Sequence, residues 1–133
     1  SHSKLHPDIK VDYFKTIDIK EKAYWLGFIY ADGGISLDKR TKDTKRFKIE
    51  INLKDENLLN RFAKTIGFNL KYKSYREESN TVRIRLGNKR FINNLIENGI
   101  TFRKSNIIEL PKLNNRALYL AFLLGYFNGD GSD

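Results

Sequence analysis

The chain has 133 residues, 40% hydrophobic and 31% charged, with 25 Lys+Arg against 16 Asp+Glu and a formal charge of +9. That size predicts one domain with enough apolar material for a core, and it excludes wholesale disorder. Cysteine is absent, which removes disulfide scaffolds, thiolate metal sites and cysteine nucleophiles, and no apolar run approaches the ~20 residues of a membrane span.

In chain order, residues 1–17 read as a tag remnant and an extension. His2 and His6 are the only histidines and sit beside a Ser-His-Ser start, which argues against histidine chemistry. With no methionine and no charged-then-apolar leader, the expectation is a processed, soluble, unexported chain. From Asp18 the pattern becomes helical through AYWLGFIYADG at 23–33, entered from polar ground and closed by glycine. A strand is expected over Ser36 to Arg40, then a charged turn to Lys45. From Arg46 to Leu53 the period is two, with Phe47, Ile49, Ile51 and Leu53 opposed to Arg46, Lys48, Glu50 and Asn52.

A second helix is expected over Asp55 to Ile66, stopped at Gly67. A rougher strand follows over Phe68 to Arg76, with Asn69, Lys71, Lys73 and Tyr75 on one face. Thr81 to Leu86 alternates again, with Val82, Ile84 and Leu86 against Thr81, Arg83 and Arg85. A third helix spans Asn88 to Asn98 and stops at Gly99. A linker over 100–113 passes through Pro111, and residues 114–133 begin a last helix containing AFLLGYFNGDG at 121–131.

The two glycine-closed stretches align without a gap at a constant offset of 98 residues, 130 minus 32. Gly27 meets Gly125, Ala31 meets Gly129 and Asp32 meets Asp130. A glycine inside a helix costs about 1 kcal/mol relative to alanine. Gly27 with Ala31, and Gly125 with Gly129, form small-residue stripes that let two helix backbones approach closely. Asp32 and Asp130 then stand at helix C-termini, the end that disfavours a carboxylate. Brought together they repel, and a divalent cation such as Mg²⁺ relieves the conflict. The polar strand faces hold Arg46, Lys48, Lys71, Lys73, Arg83 and Arg85 with Glu50, Asn52, Thr81 and Tyr75, and Arg40 stands at the neighbouring turn. That mixture suits phosphate contacts and base-edge hydrogen bonds.

WLGFIYADG and LLGYFNGDG resemble the paired motifs of the LAGLIDADG homing endonucleases, and the element order resembles their αββαββα unit, over about Ile19 to Asp133. The resemblance implies an α+β fold: a first unit over 18–99 with a four-stranded antiparallel saddle sheet, then a second motif helix packed on the first. It implies Asp32 and Asp130 as ligands of Mg²⁺ or another divalent cation, and double-stranded DNA as substrate, cut on both strands within a long site. Lys104, in GITFRKSNIIELP, resembles the lysine that follows the last helix of the family's first unit, and Lys54 resembles a polar position at the rim of the same centre. Either cation would offset charge developing on a phosphate. The setting implied is bacterial or phage cytoplasm, at the nucleoid, or an organelle.

The second repeat has no sheet of its own within the chain, so a missing second half or a dimer partner is expected. Intein splicing residues are absent. Pro7-Asp8 with Asp18-Ile19-Lys20 mimics a restriction-type nuclease pattern without a strand to hold it, and Asn128, Asp130 and Ser132 imitate a calcium loop without its closing glutamate. The rival reading from another class is a non-cleaving binder of the same fold, an intron RNA maturase or a transcription regulator.

Overall fold

The computed structural model describes residues 8–37, 45–100 and 113–129. Helix α1 (Lys20–Asp32) runs directly into strand β1 (Gly33–Leu37); β2 (Lys45–Asn52), α2 (Glu56–Ile66), β3 (Ser74–Arg76), β4 (Thr81–Leu86), α3 (Lys89–Glu97) and α4 (Arg116–Gly129) follow. The strands make one antiparallel sheet in the order β1-β2-β4-β3. This is the expected α+β order of one αββαββα unit and a further helix.

Alternation along the strands decides which face the helices cover. Phe47, Ile49 and Ile51 of β2 pair with Leu86, Ile84 and Val82 of β4, and all six are buried. Onto them pack Trp25, Leu26, Phe28 and Ile29 of α1, Leu59, Phe62 and Ile66 of α2, and Phe91, Ile92 and Leu95 of α3. Ring contacts bind these layers together: Phe62 lies 5.5 Å from both Trp25 and Phe28, and Phe47 lies 5.7 Å from Phe91. The helices end where sequence chemistry stops them. Asn88 Oδ1 accepts from Phe91 N at the start of α3, and Gly67 leaves α2 at φ +81°.

Four expectations are corrected. The first strand is Gly33–Leu37 rather than Ser36 to Arg40, because α1 passes into it without an intervening loop; Arg40 lies outside the described residues. Gly33 is extended (φ −96°), so its value is space: a Cβ there would meet Ile29 and the Phe47 ring at 3.0–3.3 Å. Leu53 leaves β2 for a 3₁₀ turn, Leu53–Asp55, initiated by Asn52 Oδ1 accepting from Lys54 N at 3.0 Å. The strand expected over Phe68 to Arg76 shrinks to Ser74–Arg76, because Asn69 Oδ1 accepts from Lys71 N and closes a second 3₁₀ turn, Leu70–Tyr72.

The fourth correction concerns the extension. Its Phe14 and Ile17 are buried in the core and Ile9 and Tyr13 pack against it, with Phe14 fully buried 5.8 Å from Phe91. Lys10 N donates to Ile66 O at 2.8 Å, Asn98 Nδ2 donates to Phe14 O at 2.6 Å, and Arg90 makes two 2.7 Å bonds to Asp12.

Helices α1 and α4 meet backbone to backbone. A Cβ on Gly27 would stand 1.9 Å from Phe122 O, and one on Gly125 would stand 1.8 Å from Tyr24 O. Phe122 lies 98 residues after Tyr24, the same offset that relates the glycines, so the two contacts exchange under a local two-fold axis. Tyr30 and Asn128 obey the same rule: Tyr30 packs edge-on to Phe122 at 4.8 Å, and Asn128 Nδ2 donates to Tyr24 Oη at 2.7 Å.

Gly27→Ala gains helix propensity yet must push the helices apart, so it is expected to lose about 3 kcal/mol or more in denaturant unfolding. Phe14→Ala is expected to cost about 3–5 kcal/mol in the same measurement, whereas a loose extension would give none. At Glu56 the bonds donated by Lys73 and Tyr75 hold the carboxyl below its ordinary range. At Asp12 burial pushes the carboxyl up, but Arg90 and Asn94 outweigh it and hold it down as well. A depressed carboxylate stabilises the fold above its ordinary range and loses that stabilisation as pH falls through the folded value. The thermal midpoint should therefore drop on acidification, and less so in Glu56→Gln.

Candidate nucleic-acid interface and motif-helix junction

The residues that alternate with the core make the outer face of the sheet, which no element covers among the described residues. Register sets three rows across it: Gly34, Lys48 and Arg85; Glu50, Arg83 and Ser74; Asn52, Thr81 and Arg76. Ser36 beside Arg46 extends the face at the β1 edge. Cations dominate, since Arg46, Lys48, Arg76, Arg83 and Arg85 share it with Glu50 as the one carboxylate among the described strand residues.

Glu50 is the hub of that face. Thr81 Oγ1 donates to it, and Arg76 Nη1 stands 3.6 Å from its Oε1. Burial pushes the Glu50 carboxyl up, but the Thr81 hydroxyl and the charges of Arg76, Arg83 and Lys48 outweigh that and hold it below the ordinary range. It is therefore an ionised acceptor at neutral pH. Arg83 stands opposite it in register, its Nε shielded from solvent and without a hydrogen-bond partner.

Three of the expected interface residues lie elsewhere. Tyr75 pairs with Val82, which turns it to the helix side, where its hydroxyl donates to Glu56. Lys73 reaches the same helix, 2.6 Å from both Glu56 and Asn60 Oδ1. Lys71 sits in the 3₁₀ turn before β3. The premature strand assignment put all three on one face. Arg76, which it hid, does belong to the outer face: the polar assignment of Thr81, carried through a short hairpin to its partner, would have found it.

Asp32 ends α1, half-buried, with its Oδ2 shielded from solvent. Ala31 precedes it in the last turn, and Gly129 ends α4. Lys54 is exposed in the 3₁₀ turn after β2. Asp130 and Lys104 lie outside the described residues. In kind, a carboxylate oxygen at a helix C-terminus fits a hard divalent cation. Among the described residues no cluster of three or more His, Cys, Asp or Glu could hold a metal.

Helix α4 is apolar on all sides but covered on one. Leu124 and Phe127 are 56% and 55% exposed, whereas Leu26 and Ile29, their equivalents at the 98-residue offset, are sealed beneath the sheet at 0%. No helix among the described residues is long and apolar enough to cross a membrane.

Among solved structures the chain is similar to the I-LtrWI LAGLIDADG homing endonuclease bound to target DNA, at 19% identity and a TM-score of 0.42. The match covers 65% of this chain and 30% of that one, so this chain spans less than a third of that protein. No curated protein matches it. Residues 25–108, more than half of the chain, match the family described as LAGLIDADG endonuclease, and the chain belongs to that family.

Proposed function

We propose that the chain is the DNA-reading and metal-binding half of a site-specific endonuclease that hydrolyses duplex DNA at a long recognition site with Mg²⁺. The observation that carries this reading is the reciprocal glycine contact between α1 and α4. It packs two repeated helices on each other about a local two-fold axis, and in the sequence each repeat closes on an Asp-Gly pair. Asp32 and Asp130 would then hold the metal between them, across the local two-fold axis.

When bound, Mg²⁺ supplies Lewis-acid stabilisation of charge on a phosphate oxygen and a more acidic water. The chain's own side chains supply position. Arg46, Lys48, Arg76 and Arg85 neutralise phosphates and hold the duplex along the sheet, while Asn52, Thr81 and Arg83 offer hydrogen bonds to base edges. Lys104 and Lys54 are assigned to offset charge at the phosphate undergoing displacement. The exposed apolar side of α4 is the seat assigned to a second sheet-bearing unit, supplied by a further half or by a dimer partner, because its equivalents on α1 are buried under such a sheet.

Two measurements on the whole chain test the reading. Duplex binding should weaken with salt, log affinity falling by about 0.9 per phosphate contact for each log unit of salt; a flat response counts against the basic face. Nicking of a plasmid library should require Mg²⁺ and fall by on the order of 100-fold or more in Asp32→Asn and Asp130→Asn, while binding stays within a few-fold. Equal nicking by all three proteins overturns the metal assignment. Salt-sensitive binding without nicking, strongest on structured intron RNA, favours the non-cleaving maturase reading.

A further inference from the structure

A carboxylate amid five cations is a liability on a surface that meets a polyanion. Against phosphate Glu50 only repels, and it lies on β2, one of the two central strands of the outer face. Ionised, it accepts hydrogen bonds and donates none. Its oxygens are incompletely used: Oε2 takes the Thr81 hydroxyl, and Oε1 faces Arg76 at 3.6 Å, an ionic contact longer than a hydrogen bond. In the major groove such an acceptor fits the exocyclic amines of cytosine and adenine, and it rejects the carbonyl edges of guanine and thymine.

Arg83 decides between the two amines. It is the direct cross-strand partner of Glu50, and opposed side chains in an antiparallel pair start about 5 Å apart. Among the described residues its side chain makes no hydrogen bond or ion pair beyond the field it exerts on Glu50, although its Nε is already shielded from solvent. Arg76, by contrast, is engaged with both Glu50 and Glu78. A part-desolvated guanidinium with unspent donors calls for a strong acceptor pair, and guanine O6 and N7 are the major-groove edge that arginine matches in two places. Guanine O6 and the cytosine amine are hydrogen-bonded neighbours within one base pair, so two side chains adjacent in register can meet both.

We infer that Glu50 and Arg83 together read a single C·G base pair, Glu50 accepting from the cytosine amine and Arg83 donating to guanine. This assignment rests on the duplex-DNA reading above and adds to it one position of defined preference. The cations at Arg46, Lys48 and Arg85 then set affinity, and the central row sets identity at that step.

The test is selection of bound duplexes from a randomised library by the full chain, followed by sequencing. Wild type, Glu50→Gln and Arg83→Lys are compared, with far-ultraviolet circular dichroism checking that each folds. Glu50→Gln keeps the shape and the Thr81 bond, and Arg83→Lys keeps the charge. Wild type should favour C·G about tenfold at one position. Each variant should reduce that preference to within about twofold while leaving the other positions unchanged, and the double variant should add nothing further at that position. A positional profile untouched by either substitution, uniform weakening at every position, or effects at two different positions overturns the joint reading while duplex binding stands. Failure of wild type to bind duplex in a salt-dependent way sinks the DNA reading itself.

Discussion

The structure depends on the absence of two side chains. Gly27 and Gly125 each admit the carbonyl of the opposite helix into the space a methyl group would fill. A glycine in mid-helix gives up about 1 kcal/mol of helical preference, and what offsets it is the continuous van der Waals contact of two backbones with no side chain between them. Because each carbonyl belongs to the residue three positions before the other helix's glycine, the arrangement is reciprocal. Close packing on this seam leaves α1 with little freedom, since its remaining apolar surface is pinned by Trp25, Leu26, Phe28 and Ile29 onto the sheet. The ends of α1 and α4 are thereby fixed relative to the sheet that begins one residue beyond Asp32.

That direct passage from α1 into β1 couples the two candidate regions mechanically. Gly33 pairs with Ile49 and Gly34 with Lys48, so the outer-face rows begin within two residues of Asp32. A displacement of α1 against α4 would therefore be felt in the register of the sheet, and the reverse holds as well. The extension reinforces the opposite side of the core. Phe14 sits under α3, and Asp12 holds Arg90, so α3 is clamped between the sheet and residues preceding α1.

Much of this was legible in the sequence, for physical reasons that vary by element. Period-two alternation with six buried apolar residues left β2 and β4 with one workable register each, and their polar partners followed. The 98-residue repeat announced the helix pair, because glycines four residues before a second small residue have few other uses in an apolar helix. Short-range capping was harder to see. Asn69 and Asn52 each close a 3₁₀ turn with a side-chain acceptor, a local competition that outweighs strand propensity in Lys71 and Leu53. Once β3 began late, the side facing α2 claimed Lys73 and Tyr75, and both were lost to Glu56. The burial of Phe14 was illegible for another reason: one aromatic in a polar stretch carries no period, and its pocket is built by α3, far along the chain.

The corrected outer face also changes what its electrostatics mean. With Lys71, Lys73 and Tyr75 removed and Arg76 added, the cations crowd around Glu50. A field of arginines alone would hold any polyanion with little discrimination, because phosphate contacts carry no sequence information. Placing an ionised carboxylate among them weakens that general attraction and demands a donor in return, which only some base edges supply. The same carboxylate draws Arg76 from β3 over β4 to β2, an ion pair already made before a ligand arrives. Charge in this sheet is thus divided between residues that attract and a cross-strand pair, Glu50 and Arg83, that selects, and the division follows from a register fixed on the opposite, buried side by Ile49, Ile51, Val82 and Ile84.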